Sequence, residues 1–179
     1  MQIPVTGKRA VIARRLSESK FSAPHYYIKA RVKMDGLLEA RTELNKSASS
    51  KVSLNAFIIK FAAEALKRHP MVNASWQGDH ILQFASIDIG LAVDLGNGLI
   101  TPVVRNCANK GIVQIDAEMK ALIDKVRENK LSPEEYSGAT FSISNLGSFG
   151  IEEFTAIINP PGSAILTLGE VRKEAVVGD

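Results

Sequence analysis

The stretch SLNAFIIKFAAEALKRHP, residues 53–70, followed by ILQF at 81–84, IDIGLAVDL at 87–95 and LITPVV at 99–104, decides the fold. Ser53 stands ahead of Leu54, Phe57, Ile58, Phe61, Ala62, Ala65 and Leu66, apolar positions at helical spacing. That pattern predicts a serine-capped amphipathic helix buried along one stripe. His69-Pro70 ends it, because proline disfavours helical geometry in the residue before it. The three apolar runs that follow read as strands, and Gly96-Asn97-Gly98 between the last two is a tight-hairpin signal.

Working outward, a second long helix is expected over 113–128, burying Ile115, Met119, Leu122, Ile123 and Val126. Ser132-Pro133-Glu134-Glu135 opens one more helical turn, with serine as cap and proline in the first position. Further strands are expected at 140–144, 156–158 and 164–168, and a last one at 175–177. Upstream, Thr6 caps a helix with Ala10, Val11, Ile12, Ala13 and Leu16 on a broad face and Lys8, Arg9, Arg14, Arg15 and Lys20 around it, ending before Pro24. From His25 to Met34 the residues alternate, Tyr26, Ile28, Ala30, Val32 and Met34 against His25, Tyr27, Lys29, Arg31 and Lys33, as in a half-exposed strand. Asp35 then caps a short helix carrying Leu37, Leu38, Arg41 and Leu44. Two sheet-covering helices with strands between and after them, in no regular βαβ alternation, give an α+β class, one domain over 1–179.

Composition narrows the function classes. With 179 residues and 45% hydrophobic content the chain can close one core. No apolar run is long enough to cross a bilayer, and the first residues lack a signal-peptide core, so no membrane partner is expected. The net charge of +3 suits a phosphate-bearing cofactor, while the basic first helix has no interleaved aromatics, so nucleic acid is not expected. No Walker A loop and no G-x-G-x-x-G opening a helix is present. His25, His69 and His80 are scattered and Cys107 is the single cysteine, which argues against a metal site and against an internal disulfide. Among the histidines, His25, after a proline and at a strand start, is the candidate for lining a site.

The run FSISNLGSFG at 141–150 alternates apolar and hydroxyl residues into a Gly-x-x-Gly turn, placing Ser142 and Ser144 on one face. A plain edge strand with a glycine turn, or Ser144 donating to a ligand from the strand end, both fit this pattern.

Seven stretches taken together carry a resemblance. They are Ala13-Arg14-Arg15-Leu16 with Ser19-Lys20, Pro24-His25-Tyr26, and Ser53-Leu54-Asn55-Ala56-Phe57. Next come Val72-Asn73-Ala74-Ser75-Trp76, then residues 98–103 (GLITPV), Phe141 to Gly147 and Ile158-Asn159-Pro160-Pro161. In this order and spacing the chain resembles the catalytic domain of the dihydrolipoamide acyltransferases, core components of 2-oxo acid dehydrogenase complexes. The resemblance implies a chloramphenicol acetyltransferase-like two-layer sandwich, a mixed sheet covered by helices. It implies trimers that build cubic or dodecahedral cores, with dehydrogenase components as partners, in bacterial cytoplasm, mitochondrial matrix or plastid. It also implies acyl transfer between coenzyme A and a dihydrolipoyl group carried on a separate domain.

Ser144 matches the serine that stabilises the tetrahedral oxyanion in that family, and Asn145 and His25 are candidates for binding coenzyme A. The family's general-base histidine stands in Asp-His-Arg-x-x-Asp-Gly. No His-x-x-x-Asp occurs here, since Lys29, Asn73 and Phe84 stand four positions after the three histidines. The expectation is therefore a domain incomplete at its C-terminus, lacking the last strand and helix, with no general-base histidine and little or no activity. The alternative is a non-catalytic structural core or subunit-binding homologue.

Overall fold

A computed structural model describes residues 2, 4, 5, 7–94 and 98–176. Five helices are present among them: α1 Gly7–Ser22, α2 Asp35–Ser47, α3 Leu54–Arg68, α4 Ile112–Arg127 and α5 Pro133–Tyr136. Eight short strands accompany them: β1 Ala74–Trp76, β2 Ile81–Gln83, β3 Ile89–Leu91, β4 Val93–Asp94, β5 Leu99–Ile100, β6 Val103–Val104, β7 Phe141–Asn145 and β8 Ile165–Leu168. The main sheet has the order β6-β3-β7-β8, with β3–β6 antiparallel and both other pairs parallel. β1–β2 and β4–β5 are separate antiparallel pairs.

Helices α3 and α4 pack on each other and on one face of this mixed sheet, which is the two-layer α+β arrangement expected. The core between the layers is built from Ala56, Ile59, Ile89, Ile115, Met119 and Ile143. Ser53 caps α3 as its position predicts, its side chain accepting from the Ala56 N–H at 3.3 Å. The buried stripe, however, runs through Ala56, Phe57, Ile59, Ala63 and Leu66, while Phe61 is 51% exposed. The helix is rotated from its most apolar face because it also meets α4 and a 3-10 turn at Cys107–Asn109. α4 buries Ile115, Met119 and Val126 as expected, with Leu122 and Ile123 at the edge of the core and Asp116 unexpectedly inside it. α5 forms the anticipated capping box between Ser132 and Glu135.

Several expectations fail for physical reasons. Residues 25–34 are extended but make no ladder among the described residues, and their apolar side faces outward: Tyr26 and Ile28 are each 83% exposed. Alternation marks extended chain with two unlike faces; it does not supply a hydrogen-bonding neighbour. The runs 87–95 and 99–104 each break in two. Ala92 ends the pairing of β3 with β7, and Pro102, which has no N–H, separates β5 from β6. Residues 156–158 and 175–176 form no strand. Asp35 is the first residue of a 13-residue helix rather than its cap; Met34 holds the cap position with no side-chain bond. The apolar face of α1 stays largely open, with Val11 45% exposed and Ser19 the one buried residue among those described. The expected cap at Thr6, the Gly96-Asn97 part of the hairpin turn and Val177 lie outside the described residues.

Candidate active site

Ser144 is the fourth of the five residues of β7, paired with Thr167 of β8. Its strand neighbour Ile143 points into the core, so Ser144 points to the opposite face of the sheet. It is half-buried there, and its hydroxyl has no hydrogen-bond partner among the described residues. The Thr167 hydroxyl is already committed, donating to the Phe154 carbonyl at 3.1 Å. Ser142 lies on the same face two residues earlier, paired with Gly90 and Ile165. A side chain at Gly90 would stand 2.6 Å from the Thr101 methyl group, so this part of the face is closed. Ser142 is 2% exposed there with its hydroxyl unpartnered. Of the two serines, only Ser144 keeps a hydroxyl within reach of an outside group.

The turn after Ser144 is held from three sides. The Leu146 N–H donates to the Leu168 carbonyl at 3.1 Å. The Gly147 N–H donates to Asn145 Oδ1 at 2.9 Å, and Asn145 Nδ2 donates to Asn55 Oδ1, in the first turn of α3, at 2.7 Å. Gly147 is a steric requirement, since a side chain there would meet the Gly169 carbonyl oxygen at 2.7 Å. Asn145 thus sits beside Ser144 in sequence but faces the helical layer, away from the open face, and both polar atoms of its amide are occupied. It supports the turn.

His25 is also fully committed. Its Nδ1 lies 2.7 Å from the Ala23 carbonyl, and its Nε2 accepts the Ile158 N–H at 3.1 Å. With these partners Nδ1 serves as the donor and Nε2 as the acceptor. Neither nitrogen can take a proton from a thiol without breaking one of these bonds, and no hydrogen bond or ring contact joins His25 to the Ser144 turn. His25 ties the chain after α1 to the segment entering Ile158-Asn159-Pro160-Pro161. Ser19 does the same from α1, its hydroxyl donating to the Ile158 carbonyl at 2.6 Å.

Among the described residues no second site competes. Cys107 is fully buried, its thiol pushed up to about 11 by burial, and Sγ donates to the Val104 carbonyl. A cavity of about 360 Å³ beside α4 and α5 is lined by Arg105, Lys110, Glu118, Lys125 and Glu135, whose charges pair with neighbours. No cluster able to hold a metal occurs among the described residues. The residue that reading from sequence passed over is Asn55: it stood in a quoted stretch without a role, and its partner Asn145 lies 90 positions away.

Comparison with known proteins identifies the family to which this fold belongs. The model of the 2-oxoacid dehydrogenases acyltransferase (catalytic domain) family matches residues 1–179. The dihydrolipoyllysine-residue acetyltransferase component of the pyruvate dehydrogenase complex from Rickettsia bellii is 48% identical, over 97% of this chain and 43% of its own length. The mitochondrial pyruvate dehydrogenase protein X component of Mus musculus is also 48% identical, over 96% of this chain and 34% of its own. The chain therefore spans less than half the length of these relatives. Dihydrolipoamide acetyltransferase of Azotobacter vinelandii superposes with a TM-score of 0.93 at 30% identity, over 99% of this chain and 75% of that one. That enzyme is described for the roles of one serine, one histidine and one asparagine in its catalytic mechanism. The cubic core of the pyruvate dehydrogenase multienzyme complex superposes equally well, TM-score 0.93 at 31% identity, over 99% of this chain and 75% of that one. By its family model, its relatives and its fold, this chain belongs to the family of the 2-oxoacid dehydrogenase acyltransferase catalytic domains.

Proposed function

We propose that this chain supplies the oxyanion-stabilising half of a thioester acyl transfer between coenzyme A and a dihydrolipoyl group carried on a separate domain. The observation that carries the reading is the Ser144 hydroxyl: half-buried, without an internal partner, and held at a strand end by a turn fixed on three sides. In the reaction a base takes the proton from the attacking thiol and the new C–S bond forms on the thioester carbonyl. The oxyanion so created accepts the Ser144 O–H. The old C–S bond then breaks, and the leaving thiolate recovers the proton. A thiol near its ordinary pKa of about 8.5 is mostly protonated at neutral pH, so the base matters. An oxyanion donor is worth roughly 10²–10³ in rate.

We infer that no general base is present among these residues, because none of the three histidines stands in a His-x-x-x-Asp sequence. His25, the internal candidate, has both nitrogens bonded to backbone. We infer that these 179 residues alone transfer acyl groups little or not at all. Self-assembly into trimers and larger cores, with dehydrogenase components bound around them in bacterial cytoplasm or mitochondrial matrix, is supported by the likeness to a cubic core and by the exposed apolar side of residues 26–32. A second reading, a structural homologue that assembles without transferring, draws on the relative named as a protein X component rather than a transferase.

The test is acetyl transfer from acetyl-CoA to dihydrolipoamide by the 179-residue chain and by the full-length polypeptide that carries it, each with Ser144→Ala. The short chain is expected to show no transfer above background, and the full-length protein to lose about 10²–10³ in kcat on Ser144→Ala. Turnover by the short chain that falls on Ser144→Ala would place a base within these residues and overturn the account. An inactive full-length protein that still assembles would favour the structural reading.

A further inference from the structure

We propose that Asn55 is a positioning residue for Ser144, acting through Asn145; the inference rests on the acyl-transfer reading above. Ser144 is held by pairing with Thr167 on one side only, because the ladder on its other flank ends with the Ala92 N–H donating to the Ile143 carbonyl at 2.8 Å. Beyond Asn145 the chain leaves the sheet through a 3-10 turn at Gly147–Phe149. The direction of that exit sets where the Ser144 Cα–Cβ bond points.

Asn145 governs the exit. Its carbonyl oxygen accepts the Gly147 N–H, which fixes the orientation of the amide: Oδ1 toward the turn and Nδ2 toward α3. Nδ2 then needs an acceptor, and Asn55 Oδ1 at 2.7 Å is the one present. Asn55 sits at the second position of a helix whose start is pinned twice. Ser53 Oγ accepts the Ala56 N–H, and the Ser53 N–H donates to Asp116 Oδ1 at 2.8 Å. Asparagine is a poor helix former and the helical layer needs no polar group here, so the hydrogen bond across to β7 is what this side chain does. It connects this doubly pinned helix end to the residue after the proposed oxyanion donor. Asn55 touches no substrate in this scheme; it acts on Ser144 through the turn.

The experiment compares Asn55→Ala, Asn55→Asp and Ser144→Ala in the full-length polypeptide, measuring kcat and KM for dihydrolipoamide together with amide hydrogen exchange at Gly147. Asn55→Ala is expected to lower kcat by about 10-fold with KM changed less than about 2-fold, since a misplaced donor weakens the transition state more than ground-state binding. Exchange at Gly147 should accelerate while exchange in the core of α3 does not. Asn55→Asp keeps an acceptor for Asn145 at a helix start that favours negative charge, so it should restore both readouts. Unchanged kcat and unchanged Gly147 exchange in Asn55→Ala would overturn the inference, and so would a loss that Asn55→Asp fails to restore. If Ser144→Ala costs nothing, the transfer reading falls and takes this inference with it. If Ser144→Ala is severe and Asn55→Ala silent, only the inference falls.

Discussion

Asp116 offers the sharpest test of how this fold holds its site. It is a carboxylate at 2% exposure on α4, one turn into a helix otherwise buried by apolar residues. Oδ1 accepts the Ser53 N–H at 2.8 Å, and Oδ2 meets Lys120 Nζ at 2.7 Å. Burial pushes its pKa up, but hydrogen bonds from Lys120 and from Ser53 outweigh that and hold the carboxyl below its ordinary range. Asp116→Ala removes a charge-assisted acceptor from a nearly dry position, and hydrogen bonds to charged groups are worth about 1.5–3 kcal/mol. The Lys120 side chain is 44% exposed, so its ion pair adds no more than about 1 kcal/mol. The expected loss is about 2–3 kcal/mol, or about 4–12 °C in Tm for a domain of this size.

Asp116→Asn keeps an oxygen for Ser53 and should cost less. The sign of the pH dependence follows from the lowered pKa. Its stabilisation is present above the unfolded carboxyl value, near 3.8, and is lost as pH falls through the lower folded value. Urea unfolding followed by circular dichroism at pH 7, 5, 4 and 3 reads both effects, with the wild-type advantage over Asp116→Asn shrinking toward pH 3. A loss below about 0.5 kcal/mol at pH 7 for Asp116→Ala, the range of ordinary surface substitutions, would refute the reasoning. So would a gap to Asp116→Asn that stays constant down to pH 3.

Ser142 and Ser144 should respond oppositely although they share a face. The Ser142 hydroxyl is buried and unpaired, so Ser142→Ala removes an unmet polar group and should leave stability equal or raise it by up to about 1 kcal/mol, with acyl transfer retained; a clear loss in chemical denaturation would show a partner for that hydroxyl. Arg105 donates to Asp88 Oδ2 and to the carbonyls of Glu134, Ser137 and Gly138. Arg105→Ala should therefore cost about 1–3 kcal/mol and free the α5 turn, read as faster amide exchange over 134–138, and protection unchanged there would contradict the clamp.

What could be read from the sequence divides by the range of the interaction. The Ser53 cap, the α5 capping box and the helical runs of α3 and α4 depend on residues within four positions of each other, and all are present. The face that α3 buries lies a partial turn from its apolar stripe because two other elements, not its own periodicity, choose that face. The runs 87–95 and 99–104 each look continuous in sequence because apolar pattern does not show where a neighbour stops pairing. β1, three residues long, has too little pattern to announce itself at all. Ser144 makes the same point about the site. Alternation placed it with Ser142 on one face and could not rank the two, and family resemblance alone singled it out. The structure separates them by contacts far along the chain, as Thr101 closes the sheet above Gly90 and Asn55 reaches Asn145 across 90 positions. The groups that would tune this serine are thus set by packing between the layers, which no local reading of FSISNLG contains.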